Sequence, residues 1–157
     1  LYIYLPGLIF LWIKRPYHIR SRITLENDDK SYTVKDVLGI CEKLGSPMVL
    51  DIHHHLCNNE NENISHYLPA IFDTWNNQNL PPKIHISSPR DSSNLRSHAD
   101  NVDPAIVVGF LQQAKSCGRD LDVMIEAKHK DLALFNLMQA LTDTQGIRVI
   151  DKASIEI

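Results

Sequence analysis

Apolar and polar positions along the chain fall into a recurring order of short β-like runs and helical stripes. Arg22-Ile23-Thr24-Leu25-Glu26 is a short β-like run, followed by the polar turn Asn27 to Ser31. Thr33 with Asp36 has the spacing of a capping box. Val34, Val37, Leu38, Cys41 and Leu44 then recur on one helical face before Gly45 ends the element. Pro47 to Ile52 reads as a buried strand, Asn58 to Asn63 as a long Asn/Glu-rich loop, and Tyr67, Ile71 and Trp75 mark the next helix. Lys83 to Ser87 predicts a third strand, with a polar loop running to Asp103. Asp103-Pro104 supplies an N-cap and a first helical position for a helix with the apolar face Val107, Phe110, Leu111 and Ala114, closed by Gly118. Asp122 to Glu126 is a fourth strand, and Leu134, Leu137, Met138 and Leu141 define a fourth helix.

A strand-helix order repeated in this way implies a parallel sheet, because strands joined through helices return in the same direction. It does not separate a barrel from an open, doubly wound sheet. No glycine-rich dinucleotide loop or phosphate loop follows any of the strands, which argues against the nucleotide-binding form of the open sheet.

Composition narrows the partners. A formal net charge of -3 provides no overall basic field, so any contact with nucleic acid has to be local. Three cysteines, Cys41, Cys57 and Cys117, without a C-x-x-C pair suit a reducing compartment, cytoplasmic in a bacterium or nuclear in a eukaryote. Leu1 to Ile13 is apolar but interrupted by Pro6-Gly7, and is shorter than the roughly 20 residues of a spanning helix. It makes a poor membrane anchor, and no membrane partner is expected. The chain does not start with Met, and its first residues differ in composition from the rest. Residues 1–20 are therefore expected to be an atypical lead-in, and 21–157 the folded unit.

Metal-capable side chains recur where the strands end. Glu26 closes the first, Asp51 the second, His85 lies toward the end of the third, and Glu126 closes the fourth. Parallel α/β folds assemble their sites at that rim, so four such residues in four consecutive units point to one constellation. Any one of them alone would be read as a helix cap or a solvated loop residue. Asp51-Ile52-His53-His54-His55 adds oxygen and imidazole donors, a mixture that suits Mn, Zn or Fe better than Ca. In an extended segment, alternation keeps three adjacent histidines from facing one ion. Asp51 and His54 are thus expected as ligands, with His53 and His55 packing behind them. Lys83 and His85, two apart on a strand, share a face. In a barrel interior the lysine must be paired, neutral or modified, unless it starts the strand and its tip reaches water.

The strings LENDDKSYT (25–33), VLDIHHHLCNN (49–59), PPKIHISSPR (81–90), RSHADNVDP (96–104) and DVMIEAKHKDLAL (122–134) resemble, in family order, the UV damage endonucleases. The resemblance implies a TIM-type (β/α) barrel, present here as its last four βα units. It implies a cluster of up to three divalent ions, of the Mn2+ type, at the strand ends. It also implies incision of damaged double-stranded DNA immediately 5′ to pyrimidine dimers and related photoproducts. By position, Glu26, Asp51, His54, His85, His98 and Glu126 match the family's metal ligands. Glu26, Lys83 and Glu126 are the expected catalytic groups, and Lys83 matches a lysine that can be carboxylated. Arg90 and Arg96 are candidate phosphate contacts or ordinary surface charges, and Lys128 and Lys130 share that ambiguity.

The family barrel has four further βα units ahead of the LEND strand, and nothing in residues 1–20 resembles them. The chain alone is therefore expected to be inactive or impaired, and prone to self-association through half-barrel edges. The rival readings are an abasic-site nuclease or a sugar isomerase of the same architecture, and a non-catalytic remnant.

Overall fold

The structure, a computed structural model, describes Trp12 and residues 14–157. After a single helical turn α1 (Tyr17–Arg20) come β1 (Leu25–Glu26), α2 (Val34–Leu44), β2 (Met48–Asp51), α3 (Ile52–Cys57), a 3-10 turn (Ile64–His66) and α4 (Leu68–Asp73). The second part holds β3 (Lys83–Ile86), α5 (Pro104–Ala114), a 3-10 turn (Lys115–Cys117), β4 (Asp122–Ile125), α6 (Asp131–Thr142), β5 (Arg148–Val149) and β6 (Ile155–Glu156).

Strands β1 to β4 form one sheet in the order β1-β2-β3-β4, and every neighbouring pair is parallel. Right-handed crossovers that always step to the next strand in the same direction leave their helices on one face. A doubly wound sheet would need the strand order to reverse, and it does not. The four units are half of a TIM-type barrel, as expected, and the barrel is not closed.

Register and the two-residue period decide what each face carries. Asp51 lies beside His85, which lies beside Met124, and Glu26 lies beside Val49. Glu26, Asp51, Lys83, His85, Asp122 and Met124 therefore share the inner face, and the next position in that period after β4 is Glu126. Met48, Leu50, Ile84 and Ile86 point the other way and are completely buried. They pack on Val34, Val37 and Leu38 of α2, Leu68, Ile71 and Phe72 of α4, Val107 and Phe110 of α5, and Leu137 and Leu141 of α6. Burying such side chains stabilises the fold by about 1.5–3 kcal/mol each.

Local signals set the element ends. Thr33 and Asp36 make the expected reciprocal capping box, and Gly45 leaves α2 in the left-handed conformation at φ 61°. Asp103 caps α5 by accepting from the Ala105 amide, with Pro104 in the first turn, and Gly118 at φ 60° ends the 3-10 turn beyond it. Trp75 lies past the end of α4, where its indole N–H donates to the Met48 carbonyl at 2.6 Å, pinning the helix to β2.

Two features depart from the sequence reading. The three histidines do not continue β2: the chain turns into α3 at Ile52, so successive side chains diverge by helical rather than strand geometry. The antiparallel pair β5–β6, tied by Arg148 to Glu156, was not expected from a periodicity that ended at Leu141. Its strands are only two residues long, too short to carry an alternation signal.

The outer side of β4 remains open. Met124 on its inner face is 47 % exposed, as are Leu132 (60 %) and Phe135 (47 %) on α6. A cleft of about 1080 Å3 runs along β4, α5 and α6 and is bounded by the C-terminal hairpin. No helix among the described residues is long and apolar enough to cross a membrane. The apolar segment 1–13, apart from Trp12, lies outside the described residues.

Burial has a chemical consequence at Cys41, whose thiol is pushed up to about 12 by desolvation. It is expected to resist iodoacetamide at pH 8 in the folded protein and to react once urea unfolds the chain. Because an unfolded thiol ionises near 9 and the folded one does not, this residue's contribution to stability is full below pH 9 and declines between about 9 and 12. Peptide mapping of the alkylated protein reads the difference; labelling of Cys41 in the native state would contradict its place in the core.

Candidate metal centre

The C-terminal ends of the strands are held together before any ligand is considered. Asn27, 1 % exposed, follows β1 and completes its pairing with β2 through its side chain: its amide donates to the Asp51 carbonyl at 2.9 Å, while its carbonyl oxygen accepts from the Asp51 amide at 3.0 Å. Asn27 was read from sequence only as a turn residue. Its signal was the step from Glu26 into a polar residue at a strand end, which does not distinguish a clamp from a turn.

Asp51 is fully buried at the junction of β2 and α3. Its Oδ1 caps α3 by accepting from the His54 amide at 2.8 Å, while Oδ2 is buried without a hydrogen-bond partner. Helix capping and membership of the rim cluster, set against each other at the sequence level, are both true of this one carboxylate. Burial raises its pKa, and the Glu26 and Glu126 carboxylates raise it further against the opposing effects of the His54 amide and imidazole.

One turn into α3, His54 brings Nδ1 within 2.8 Å of the Asn27 carbonyl. A carbonyl only accepts, so Nδ1 carries a proton here; the same nitrogen faces the carboxylates, 3.5 Å from Glu26 and 3.6 Å from Asp51 Oδ2, and would ligate an ion beside them once that proton is displaced. His85, from β3, presents Nδ1 at 3.3 Å from both Glu26 and Glu126, buried and without hydrogen-bond geometry to either. The Glu26 carboxylate first, with Glu126 and Asp51, raises its pKa against the effect of burial.

Among the described residues, two groups of three donors emerge: Glu26, Asp51 and His54, and Asp51, His85 and Glu126. Within each, the ligand atoms all lie within 4.8 Å of one another, and Asp51 belongs to both. Three carboxylates crowded about buried Oδ2 and Nδ1 atoms that make no hydrogen bond form an anionic cradle that a divalent cation would neutralise. Mixed carboxylate and imidazole donors fit Mn, Zn or Fe, so the residues present fit such an ion.

The other expected residues are distributed around this centre. His98 returns to the rim on the long β3–α5 loop, with Nδ1 3.9 Å from Glu126, next to the two groups but in neither. Lys83 starts β3, a third exposed and 4.0 Å from Asp122, so its charge is paired at the opposite end of the strand from the site. Arg96 is exposed and lies 3.4 Å from Asp29 of the β1–α2 loop, and Arg90 is exposed on the same long loop. His53 and His55 are buried behind the site, as expected.

Four consecutive βα units with a carboxylate and imidazole cluster at their carboxyl ends define one half of a (β/α) barrel with a candidate metal centre on its rim. The chain belongs to the UV-endonuclease UvdE family, whose model matches residues 13–157. It is 49 % identical over 142 residues to the UV DNA damage endonuclease of Bacillus pumilus, a match covering 90 % of this chain and 44 % of the relative. It is 46 % identical over 143 residues to that of Bacillus mycoides, covering 91 % and 45 %. The crystal structure of SacUVDE superposes with a TM-score of 0.76 at 28 % identity, covering 88 % of this chain and 46 % of the other. The chain thus spans less than half the length of the curated relatives it matches.

Proposed function

We propose that this chain carries the C-terminal half of the active centre of a DNA-repair endonuclease that uses divalent metal ions, of the Mn2+ class, to cut the strand 5′ to UV photoproducts. The observation that supports it most is Asp51, shared by two three-donor groups with Oδ2 buried and unpartnered, in a chain of the UvdE family. Glu26, Asp51, His54, His85, Glu126 and the adjacent His98 are the residues that would hold the ions. Bound there, divalent ions would polarise the scissile phosphate and acidify the attacking water.

The chain's own groups do the rest. Glu26 and Glu126, each about a third exposed, face the open side where a phosphodiester would enter. Asp51, locked by the Asn27 clamp and the α3 cap, fixes the spacing of the donors. Arg90 and Arg96 on the rim loop suit contacts to phosphate oxygens, which orient a duplex without reading its sequence. Lys83 shares the inner face with His85, and carboxylation of its amine would add an anion below the cluster only by giving up the ion pair with Asp122. The open edge of β4 and the exposed Leu132 and Phe135 fit the remaining βα units of a full family barrel as their partner, and activity requires such units; where they are not supplied the same surfaces favour self-association.

The test joins this chain to the N-terminal half of a Bacillus relative and assays nicking of UV-irradiated against unirradiated and abasic plasmid with Mn2+. Lesion-dependent nicking, mapped 5′ to dimers and lost with chelator, is the expected result. Nicking confined to abasic sites, or unaffected by chelation, rejects the proposal.

A further inference from the structure

His53 is only 1 % exposed, and the metal site has no use for it as a ligand. Both of its ring nitrogens are occupied: Nδ1 lies 2.5 Å from the Ser87 hydroxyl, just past β3, and Nε2 lies 2.5 Å from the Leu95 carbonyl, in the middle of the exposed rim loop. The carbonyl only accepts, so Nε2 carries the proton and donates. With the proton on Nε2, Nδ1 can accept from the Ser87 hydroxyl. The imidazole is a rigid strut between the end of β3 and a loop carbonyl whose other donor from below is the weak Cys57 thiol at the end of α3, 3.6 Å away.

Beyond these contacts the loop is tied to its surroundings by the Arg96–Asp29 ion pair at 3.4 Å, in which both side chains are solvent-accessible. Residues 90–97 are all exposed, and their internal bonds are turns of Asp91 with Ser93 and Asn94. Its base is closed by the Pro89–His98 bridge, with the Arg90 amide donating to Ser97 at 2.7 Å and the Ala99 amide donating to Ser88 at 2.9 Å. The His98 ring lies against His53 itself, with centroids 5.2 Å apart and tilted 45°. One buried side chain thus touches both the far part of the loop and the imidazole that the loop returns to the rim.

The geometry points to His53 as a positioning residue: it anchors the 89–98 loop through the Leu95 carbonyl and backs the His98 ring, so that His98 stands beside Glu126 ready to bind metal. This rests on the reading of the rim as a metal centre. The role is carried by shape and hydrogen bonding and needs no change of charge on the ring.

The test uses the 157-residue chain with four substitutions, His53→Leu, His53→Gln, His98→Ala and the double His53→Leu/His98→Ala, read by Mn2+ titration calorimetry and by amide hydrogen exchange. Loss of the strut is expected to speed exchange at Arg90 and Ala99 by about tenfold or more while helix α2 keeps its protection. His53→Leu is expected to weaken Mn2+ binding by about 10- to 100-fold, as for groups that orient ligands. The double variant should bind no more weakly than His98→Ala, since His53 acts through that residue. His53→Gln, whose side-chain amide can still donate to Leu95, should recover most of both effects. Exchange that rises equally across α2 and the loop, or Mn2+ binding in His53→Leu equal to the unaltered chain, overturns the inference. If His98→Ala itself binds Mn2+ normally, the metal role of His98 fails instead, and the exchange data alone decide whether His53 anchors the loop.

Discussion

Glu126→Gln is expected to abolish lesion-dependent nicking by the reconstituted barrel and to weaken Mn2+ binding by more than the roughly 10- to 100-fold that losing an outer partner of a metal ligand costs. The change removes one negative charge and substitutes an amide for an oxygen donor, while almost preserving side-chain volume. Glu126 sits just past an edge strand, a third exposed, with His85 3.3 Å away and His98 3.9 Å away, so it supports no core packing. A thermal midpoint unchanged without metal, together with lost binding, is therefore the signature of a ligand. A variant that still nicks irradiated plasmid at the original rate removes Glu126 from the centre. His85→Gln should behave alike with respect to metal, because its Nδ1 is the buried atom between the two glutamates.

The sequence carried the βα alternation clearly because the sheet is buried on its helical face and the helices present stripes to it. Val34, Val37, Leu38 and Cys41 repeat with the helix period, and Ile84 and Ile86 with the strand period. The site was legible for a different reason: strand ends are fixed by the same pattern, so Glu26, Asp51, His85 and Glu126 could be placed on one rim from their position in each unit. What the sequence hid is tertiary. Nothing local distinguishes Asn27 as a clamp between two strands from Asn27 as a turn, since its partner is Asp51, 24 residues away. His53 likewise meets Ser87 and Leu95 across 34 and 42 residues. The histidine run misled in its local conformation, because the capping potential of Asp51 turned the chain into a helix where its position after a strand suggested continued extension. The choice of barrel over open sheet rested on the resemblance, and the unreversed strand order now supports it independently.

Asp51→Asn separates stability from function most sharply. Asparagine caps a helix about as well as aspartate, so the start of α3 should survive the change. The Asn27 clamp uses only the backbone of residue 51 and is likewise retained. What disappears is a fully buried negative charge whose Oδ2 has no hydrogen bond and which Glu26 and Glu126 repel. Burying a charge is costly unless it is hydrogen-bonded, and the imidazole nearest Oδ2, that of His54 at 3.6 Å, makes its hydrogen bond to Asn27 instead, so without metal the variant is expected to melt at or above the temperature of the unaltered chain. With metal the order should reverse. A ligand present at about a hundredfold over its dissociation constant stabilises a protein by about 2.7 kcal/mol, and the unaltered chain should show a gain of that size with Mn2+ while Asp51→Asn shows almost none. Asp51→Ala, which also deletes the cap, should lose a further ~1 kcal/mol or so without metal. Calorimetric scans of the three proteins with Mn2+ and with chelator read all of these outcomes. A metal-dependent gain in Asp51→Asn equal to that of the unaltered chain would show that the two donor groups do not depend on the carboxylate they share. A marked loss of stability in its metal-free form would show instead that the buried charge is satisfied by the fold itself, and the rim would then have no electrostatic need of a cation.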